Sequence, residues 1–201
     1  MKLSDAKQIP EERDADQRER MLRGELYFSA DAGLVEERHR ARRLCRAYNA
    51  TTEEQGEERL RLLKELLGGT GKTLTIEPEF ICDYGTYMTV GENFYANFGL
   101  VVLDTCPVCI GNNCMFGPRV SLFTAGHPLD PEVRNSGWEF GAPITIGDNV
   151  WIGGGSIINP GVTLGNNVVV GSGSVVTKSF GDNVVIAGNP ARVIRELASK
   201  E

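Results

Sequence analysis

From Ile146 onward an aliphatic residue recurs at every sixth position: Ile146, Ile152, Ile158, Leu164, Val170 and Val176. An α-helix repeats every 3.6 residues and a strand every two, so neither accounts for a six-residue beat. A chain that turns a corner after each short strand does. Three sides per coil put every sixth aliphatic side chain inside a triangular prism, stacked on its equivalent one coil away. Aligning 146–163 with 164–181 gives six identities and several Ile/Val exchanges, so the full repeat is 18 residues made of three sixes. A second pattern runs with it. Val90-Gly91-Glu92-Asn93, Ile110-Gly111-Asn112-Asn113, Ile146-Gly147-Asp148-Asn149 and Leu164-Gly165-Asn166-Asn167 are copies of one phrase. The expected architecture is mainly β, a parallel β-helix of hexapeptide repeats.

The chain of 201 residues divides by character. Residues 1–70 are rich in Glu and Arg and hold only three glycines before Gly68, which predicts an N-terminal helical segment. A charged stretch runs from about Glu11 to Arg23. A helix is predicted over Asp31–Tyr48, with Leu34, Val35, Leu44, Cys45 and Tyr48 on one face. A third is predicted to open at Thr52 with Gln55 as its capping box, and Leu60, Leu63, Leu66 and Leu67 form its stripe until Gly68-Gly69 stops it. Residues 71–190 form the β-helix domain, opening with Lys72–Ile76 and Phe80–Gly85. One excursion interrupts it, over 123–143, where positions 128, 134 and 140 are Pro, Arg and Phe. Loops on a rigid solenoid are where function concentrates. Residues 191–201 make a C-terminal tail in which Val193, Ile194 and Leu197 suggest a short final element.

A formal charge of −6 argues against general nucleic-acid binding, which wants a basic surface. No apolar run reaches the roughly 18–20 residues of a membrane span, and no apolar signal core opens the chain. A cytoplasmic protein is expected. Its five cysteines are odd in number and scattered, so a disulfide framework is not expected. Cys106-Pro107-Val108-Cys109 has zinc-like spacing, but no second pair or nearby histidine completes a ligand set, and no metal is expected. Small buried thiols in the prism wall are the better reading.

Only two histidines exist. His39 lies between two arginines in the helical segment and reads as a surface residue. His127 opens the excursion in Thr124-Ala125-Gly126-His127-Pro128, and histidine is the side chain best suited to accept a proton near neutral pH. Glu139 lies on the far arm. If the loop folds back, this carboxylate would hold the imidazolium formed on proton abstraction. Gly153-Gly154-Gly155 marks a wall where backbone comes close to a neighbouring chain or a narrow ligand arm.

A larger set of residues carries a resemblance. Asn97-Phe98, Val108-Cys109-Ile110-Gly111, Phe116-Gly117-Pro118, His127-Pro128-Leu129-Asp130, Pro143 to Gly147, Val150 to Gly154, Asn159-Pro160-Gly161, Gly173 to Lys178 and Ala187 to Ala191 resemble a hexapeptide-repeat sugar O-acetyltransferase. The likeness is to the maltose, galactoside and nodulation acetyltransferases. It extends into the amino-terminal region through Met21 to Tyr27 and Arg46 to Asn49. The resemblance implies a left-handed parallel β-helix that assembles as a homotrimer with active sites between neighbouring prisms. It implies acetyl transfer from acetyl-CoA to a hydroxyl of a maltose- or glucose-like sugar in a ternary complex. His127 falls on the family's general base and Glu139 on the residue that orients it. Gly154 occupies the wall position whose backbone N–H would meet the oxyanion, where the galactoside branch has a serine. Asp83 and Asn97 match positions that bind the acceptor. Ser29 and Thr105 stand where the galactoside branch carries aspartates, which favours the maltose-like branch or another polyol. For acetyl-CoA, Trp151, Gly154 and Ser172 match the pantetheine wall, Thr177 and Lys178 the adenine end, and Arg192 and Arg195 the phosphates.

Three other readings compete. A γ-type carbonic anhydrase shares the prism but needs three histidine ligands, and the prism region offers one. A non-catalytic β-helix scaffold would need no excursion carrying a histidine. An acetyltransferase of the same fold acting on an antibiotic or amino sugar is the live alternative, against which the helical 1–70 segment favours the sugar branch.

Overall fold

The computed structural model describes residues 5–10 and 16–198. Its body is a parallel β-helix with three walls. The first wall stacks Gly69–Thr70, Met88–Val90, Val108–Ile110, Ile144–Ile146 and Thr163–Leu164. The second stacks Leu74–Ile76, Phe94–Ala96, Met115–Phe116, Trp151–Ile152, Val169–Val170 and Val184–Gly188. The third stacks Phe80–Cys82, Leu100–Leu103, Ser121–Phe123, Ile157–Ile158 and Val175–Val176. The hexad residues point inward, and Ile146, Ile152, Ile158, Leu164, Val170 and Val176 are all at most 2% exposed. The repeat length is less regular than 18. The residues Val90, Ile110, Ile146, Leu164 and Phe180 lie one above another, 20, 36, 18 and 16 positions apart. The gap of 36 is two coil lengths, one of which the excursion takes up, so the register across it survives.

The repeated phrase is a corner. Asn93, Asn113, Asn149, Asn167 and Asn183 all adopt the left-handed conformation, with φ between 54° and 57°. Asparagine tolerates that region where a branched residue would not. Its neighbour must be glycine because the coils touch there: a Cβ on Gly147 would lie 2.8 Å from the carbonyl carbon of Gly165. The middle residue ties the coils, since the Asn166 side chain accepts from the Asp148 N–H at 2.8 Å and Asp182 accepts from the Asn166 N–H at 2.7 Å. Gly181-Asp182-Asn183 is thus a fifth copy, hidden in the sequence by Phe180 in the aliphatic place.

The outer residues distinguish the walls. The first wall presents Thr89, Cys109, Thr145 and Thr163 in one row. The second presents Tyr95, Met115, Trp151, Val169 and Val185, and the third Ile81, Val101, Ser121, Ile157 and Val175. Two walls therefore carry apolar outer rows and one carries small polar groups.

Three helices precede the prism: α1 (Gln17–Leu22), α2 (Ala32–Asn49) and α3 (Gly56–Leu66). Residues 11–15 of the charged stretch lie outside the described residues. Asp16 caps α1 and Asp31 caps α2, each accepting backbone N–H groups of the first turn. The third helix begins later than Thr52. Gln55 accepts the Thr52 N–H at 2.8 Å, but the Thr52 hydroxyl leans on the same oxygen at 3.4 Å instead of capping, so regular helix starts at Gly56. Leu62 joins Leu63, Leu66 and Leu67 in the core, and Leu60 is only half-buried. Gly69–Thr70 is already strand, so the prism starts two residues before the expected 71. Ala41, Cys45 and Tyr48 of α2 and the α3 leucines pack into one cluster with the prism interior, so the helices lie on the first coils and extend their core. At the other end Ala191–Glu196 turns back antiparallel on Val184–Gly188.

Candidate active site

The excursion is built, not loose. It leaves the corner between the third and first walls after Phe123, forms Ala125–Gly126, then α4 (Pro131–Asn135), and returns as Trp138–Gly141. Asp130 caps α4 through the N–H groups of Glu132 and Val133. The two short strands pair antiparallel, and Tyr27–Phe28 from the amino-terminal segment pairs with the outer side of Trp138–Gly141. Trp138, wholly buried, packs with Val133, Leu26 and Ala6, flanked by Phe28 and Phe140. The excursion therefore has its own small core, half of it supplied by the amino-terminal segment.

This pairing sets the site. Ala125 faces Gly141 and Gly126 faces Phe140, so the register carried one step further sets His127 across from Glu139. Residues opposite each other in an antiparallel pair share a face. Tyr27 faces Glu139 from the other side, and its hydroxyl donates to Glu139 Oε2 at 2.9 Å. The carboxylate is thus engaged by Tyr27, not by the imidazole. His127 is exposed and has no hydrogen-bond partner among the described residues. Burial pushes the Tyr27 phenol far above its ordinary range, and the Glu139 charge adds to this, so it remains a donor.

Asp83 and Asp104 lie at the same corner on adjacent coils, Asp104 level with Tyr84. Asp104 is fully buried, its Oδ1 accepting from the N–H groups of Asp83 at 3.1 Å and Tyr84 at 2.9 Å, while Oδ2 has no partner. Burial raises its carboxyl to about 7. The Asp83 carboxyl is also raised, first by burial, with the Arg38 and Arg42 cations opposing and Glu139 reinforcing the shift. Arg38 donates to the Tyr84 hydroxyl and the Ser29 carbonyl, both at 2.7 Å. Ser29 reaches Gly137 O at 3.5 Å. Thr105 is 4% exposed and its hydroxyl lies 3.1 Å from that of Thr124, so it turns inward.

The remaining candidates gather elsewhere. Asn97, Gly154 and Ser172 lie at the corner between the second and third walls, where the register of Ala96, Ile152 and Val170 sets Asn97 level with Gly153 and puts Gly154 and Ser172 one residue further round, level with Phe98. Asn97 Oδ1 accepts the Phe98 N–H at 2.7 Å. An open groove of about 700 Å³ runs along this corner past Phe98, Pro118, Arg119 and Gly154. The Gly154 N–H donates to no group of the chain among the described residues, whereas the flanking Gly153 and Gly155 N–H groups are bonded to Val170 O and Pro118 O. Trp151 stands on the second wall between Met115 and Val169, 54% exposed. Thr177 and Lys178 sit at the His127 corner but on the last coil, with Lys178 Nζ 5.5 Å over the Phe180 ring. Arg192 and Arg195 lie on the reversed strand, and Arg192 donates to its neighbour's carbonyl at 2.8 Å.

Within one chain, then, His127, Glu139 and Asp83 share one corner, and Asn97, Trp151, Gly154 and Ser172 flank another. Three contributors were not singled out from sequence: Tyr27, Asp104 and Arg119. Tyr27 faces Glu139 across 112 residues, a pairing no local signal encodes. Arg119 holds φ at 58° beside the groove, where asparagine or glycine is the usual occupant. Among the described residues no three His, Cys, Asp or Glu side chains are grouped to hold a metal ion, and no helix is long and apolar enough to cross a membrane. Four cysteines are buried, but Cys109 is exposed on the outer row of the first wall.

Two family models match: the maltose acetyltransferase hexapeptide capping motif over residues 20–71, and the six-repeat bacterial transferase hexapeptide over 143–178. The galactoside O-acetyltransferase of Escherichia coli is 43% identical over 183 residues, covering 91% of this chain and 90% of its own. The crystal structure of a maltose O-acetyltransferase from Clostridium difficile 630 superposes with a TM-score of 0.90 at 49% identity, covering 91% of this chain and 98% of its own. A galactoside acetyltransferase in complex with coenzyme A superposes at 0.88 with 43% identity, covering 91% and 92%. Likeness of this level over nine-tenths of both chains, together with the prism and its histidine-bearing excursion, makes this chain a member of the hexapeptide-repeat acetyltransferases of the maltose and galactoside O-acetyltransferase type.

Proposed function

We propose that the protein transfers the acetyl group of acetyl-CoA to a hydroxyl of a maltose- or glucose-like sugar, in one ternary complex formed between two prisms of a cytoplasmic homotrimer. The observation that carries this reading is the exposed imidazole of His127, one residue beyond the last pair of a braced excursion whose return strand holds Glu139. His127 takes the hydroxyl proton as the sugar oxygen attacks the thioester carbonyl. Glu139, steadied by the Tyr27 hydroxyl, stabilises the imidazolium from its remaining oxygen. The unengaged Gly154 N–H receives the tetrahedral oxyanion. The imidazolium then returns its proton to the departing CoA sulfur, so no acyl-enzyme forms.

The oligomer is part of the proposal. The base and the Gly154 wall flank different corners of one prism, so a second prism must bring its own wall to the His127 corner. The two apolar outer rows support such an assembly, since unpartnered apolar strips of this length favour association. Trp151, the groove at Gly154, and Ser172 on the next coil suit pantetheine, while Thr177, Lys178, Arg192 and Arg195 suit the nucleotide end. Asp83 and Asn97 bind the acceptor. The inward-turned Thr105 supports an acceptor site poorer in carboxylates than that of a galactoside enzyme.

Release of CoA thiol from acetyl-CoA, measured across glucose, maltose, galactosides, amino sugars and an antibiotic panel, tests the activity and separates the alternative acceptors. His127→Ala is expected to lower turnover by about 10²–10⁴-fold while leaving the fold intact. Turnover unaffected by that change would sink the mechanism, and no release with any acceptor would favour a scaffold.

A further inference from the structure

Cys45, on the inner face of α2, and Cys82, which ends the strand Phe80–Cys82, bring their sulfurs to 3.7 Å across 37 residues of chain. Both are almost wholly buried, at 5% and 2% exposure. A cavity of about 470 Å³ opens beside them, and both thiols line it with Arg42, Arg46 and Asn49. The other cysteines stand apart from this pair: Cys106 contacts the Met21 carbonyl, Cys114 the Gly147 carbonyl, and Cys109 is exposed. Acetyl transfer uses none of these sulfurs.

We infer that Cys45 and Cys82 form a dithiol site that a small hydroperoxide converts into a disulfide, tying α2 to the first coil of the prism. The two sulfurs are not equivalent. Cys45 is the more exposed of the two, at 5% against 2%, and the hydrogen bond it shares with Cys82 and the neighbouring Arg46 charge favour its thiolate, while that bond and burial raise Cys82. Cys45 is therefore the attacking group. Its thiolate attacks the peroxide O–O bond, giving a sulfenic acid and, with one proton, an alcohol, or water when the oxidant is hydrogen peroxide. The Cys82 sulfur then attacks the sulfenyl sulfur, forming the S–S bond and releasing water. Two thiols lose two electrons and the peroxide gains them. The sulfurs must close from 3.7 Å to about 2.05 Å, and the low exposure admits only a small oxidant.

The test treats full-length protein with hydrogen peroxide at neutral pH, then denatures, alkylates and maps it by mass. Two of the five thiols should escape alkylation, with the peptides bearing Cys45 and Cys82 joined and a reducing dithiol restoring both. The thermal midpoint should rise by several degrees in the oxidised wild type and stay put in Cys45→Ser. Cys82→Ser should instead leave Cys45 as a sulfenic acid that dimedone labels. Alkylation of all five thiols after oxidation, or a bridge through Cys109, overturns the assignment. Because the readout is sulfur chemistry, it stands or falls apart from the acetyl-transfer reading.

Discussion

Replacing Asp104 by asparagine isolates what one buried carboxyl does to stability as the pH changes. Its Oδ1 accepts two backbone N–H groups and its Oδ2 has no partner, so ionisation is opposed by burial and only partly eased by those donors. The folded-state pKa is about 7 against an ordinary 3.8. The folded chain thus keeps a proton that the unfolded chain releases. Asp104's stabilising contribution is fully present below the unfolded pKa, falls as the pH rises, and is lost once the pH passes about 7. A shift of roughly three units at 1.36 kcal/mol each amounts to about 4 kcal/mol across the whole window. Between about pH 5 and pH 8 the expected loss is roughly 2–3 kcal/mol. Asparagine keeps the Oδ1 acceptor and cannot ionise. Urea unfolding of both proteins through this range should show the variant gaining on the wild type by that amount, since other titrations cancel in the difference. The unpartnered amide adds a constant offset of about 1–3 kcal/mol that leaves the slope untouched. Parallel stability curves would refute the reasoning, because Asp104 would then ionise alike in both states.

Substitutions at three further positions follow from the geometry. Gly147→Ala puts a methyl 2.6 Å from Asn166 Oδ1 and 2.8 Å from the Gly165 carbonyl carbon, so chemical denaturation should show a loss of about 1–3 kcal/mol. At the adjoining left-handed corner, Asn149→Gly should be nearly neutral and Asn149→Ala cost about 1 kcal/mol or more. Tyr27→Phe removes the hydroxyl that holds Glu139, and steady-state kinetics should show kcat lowered by about 5–30-fold with the circular dichroism spectrum unchanged.

The fold was legible because a solenoid repeats its constraints. Each coil states the same requirements, an inward aliphatic, a glycine where coils touch and an asparagine at positive φ, so Ile146 to Val176 betray the prism without any long-range information. Irregular coils blur the signal: the fifth corner hides behind Phe180, and the spacing of 16 breaks the period. Positions at the site were less legible than their chemistry. His127 and Glu139 stand out because the beat fails between them. Their relation depends on the pairing of Ala125–Gly126 with Trp138–Gly141, and the grip of Tyr27 on Glu139 depends on a two-residue strand from a helical segment. No periodicity announces a strand that short. Thr52 misled for a local reason, since half of a capping box is enough to form a turn without starting a helix.

The reversal of Ala191–Glu196 also bears on how the molecule ends. A stack of parallel coils is a template at both extremities, because the terminal strands offer unpaired backbone in the direction of growth. Left bare, one prism would seed the next, and copies would add end to end into a fibre. Here the final strand of the second wall is paired with a strand running the wrong way to continue the helix, and charged Arg192, Arg195 and Glu196 line it. At the opposite extremity α2 and α3 lie over the first coils. The second wall is thereby closed to end-on growth at one extremity and the first coils are covered at the other, so an unlimited architecture is made finite by two unlike lids.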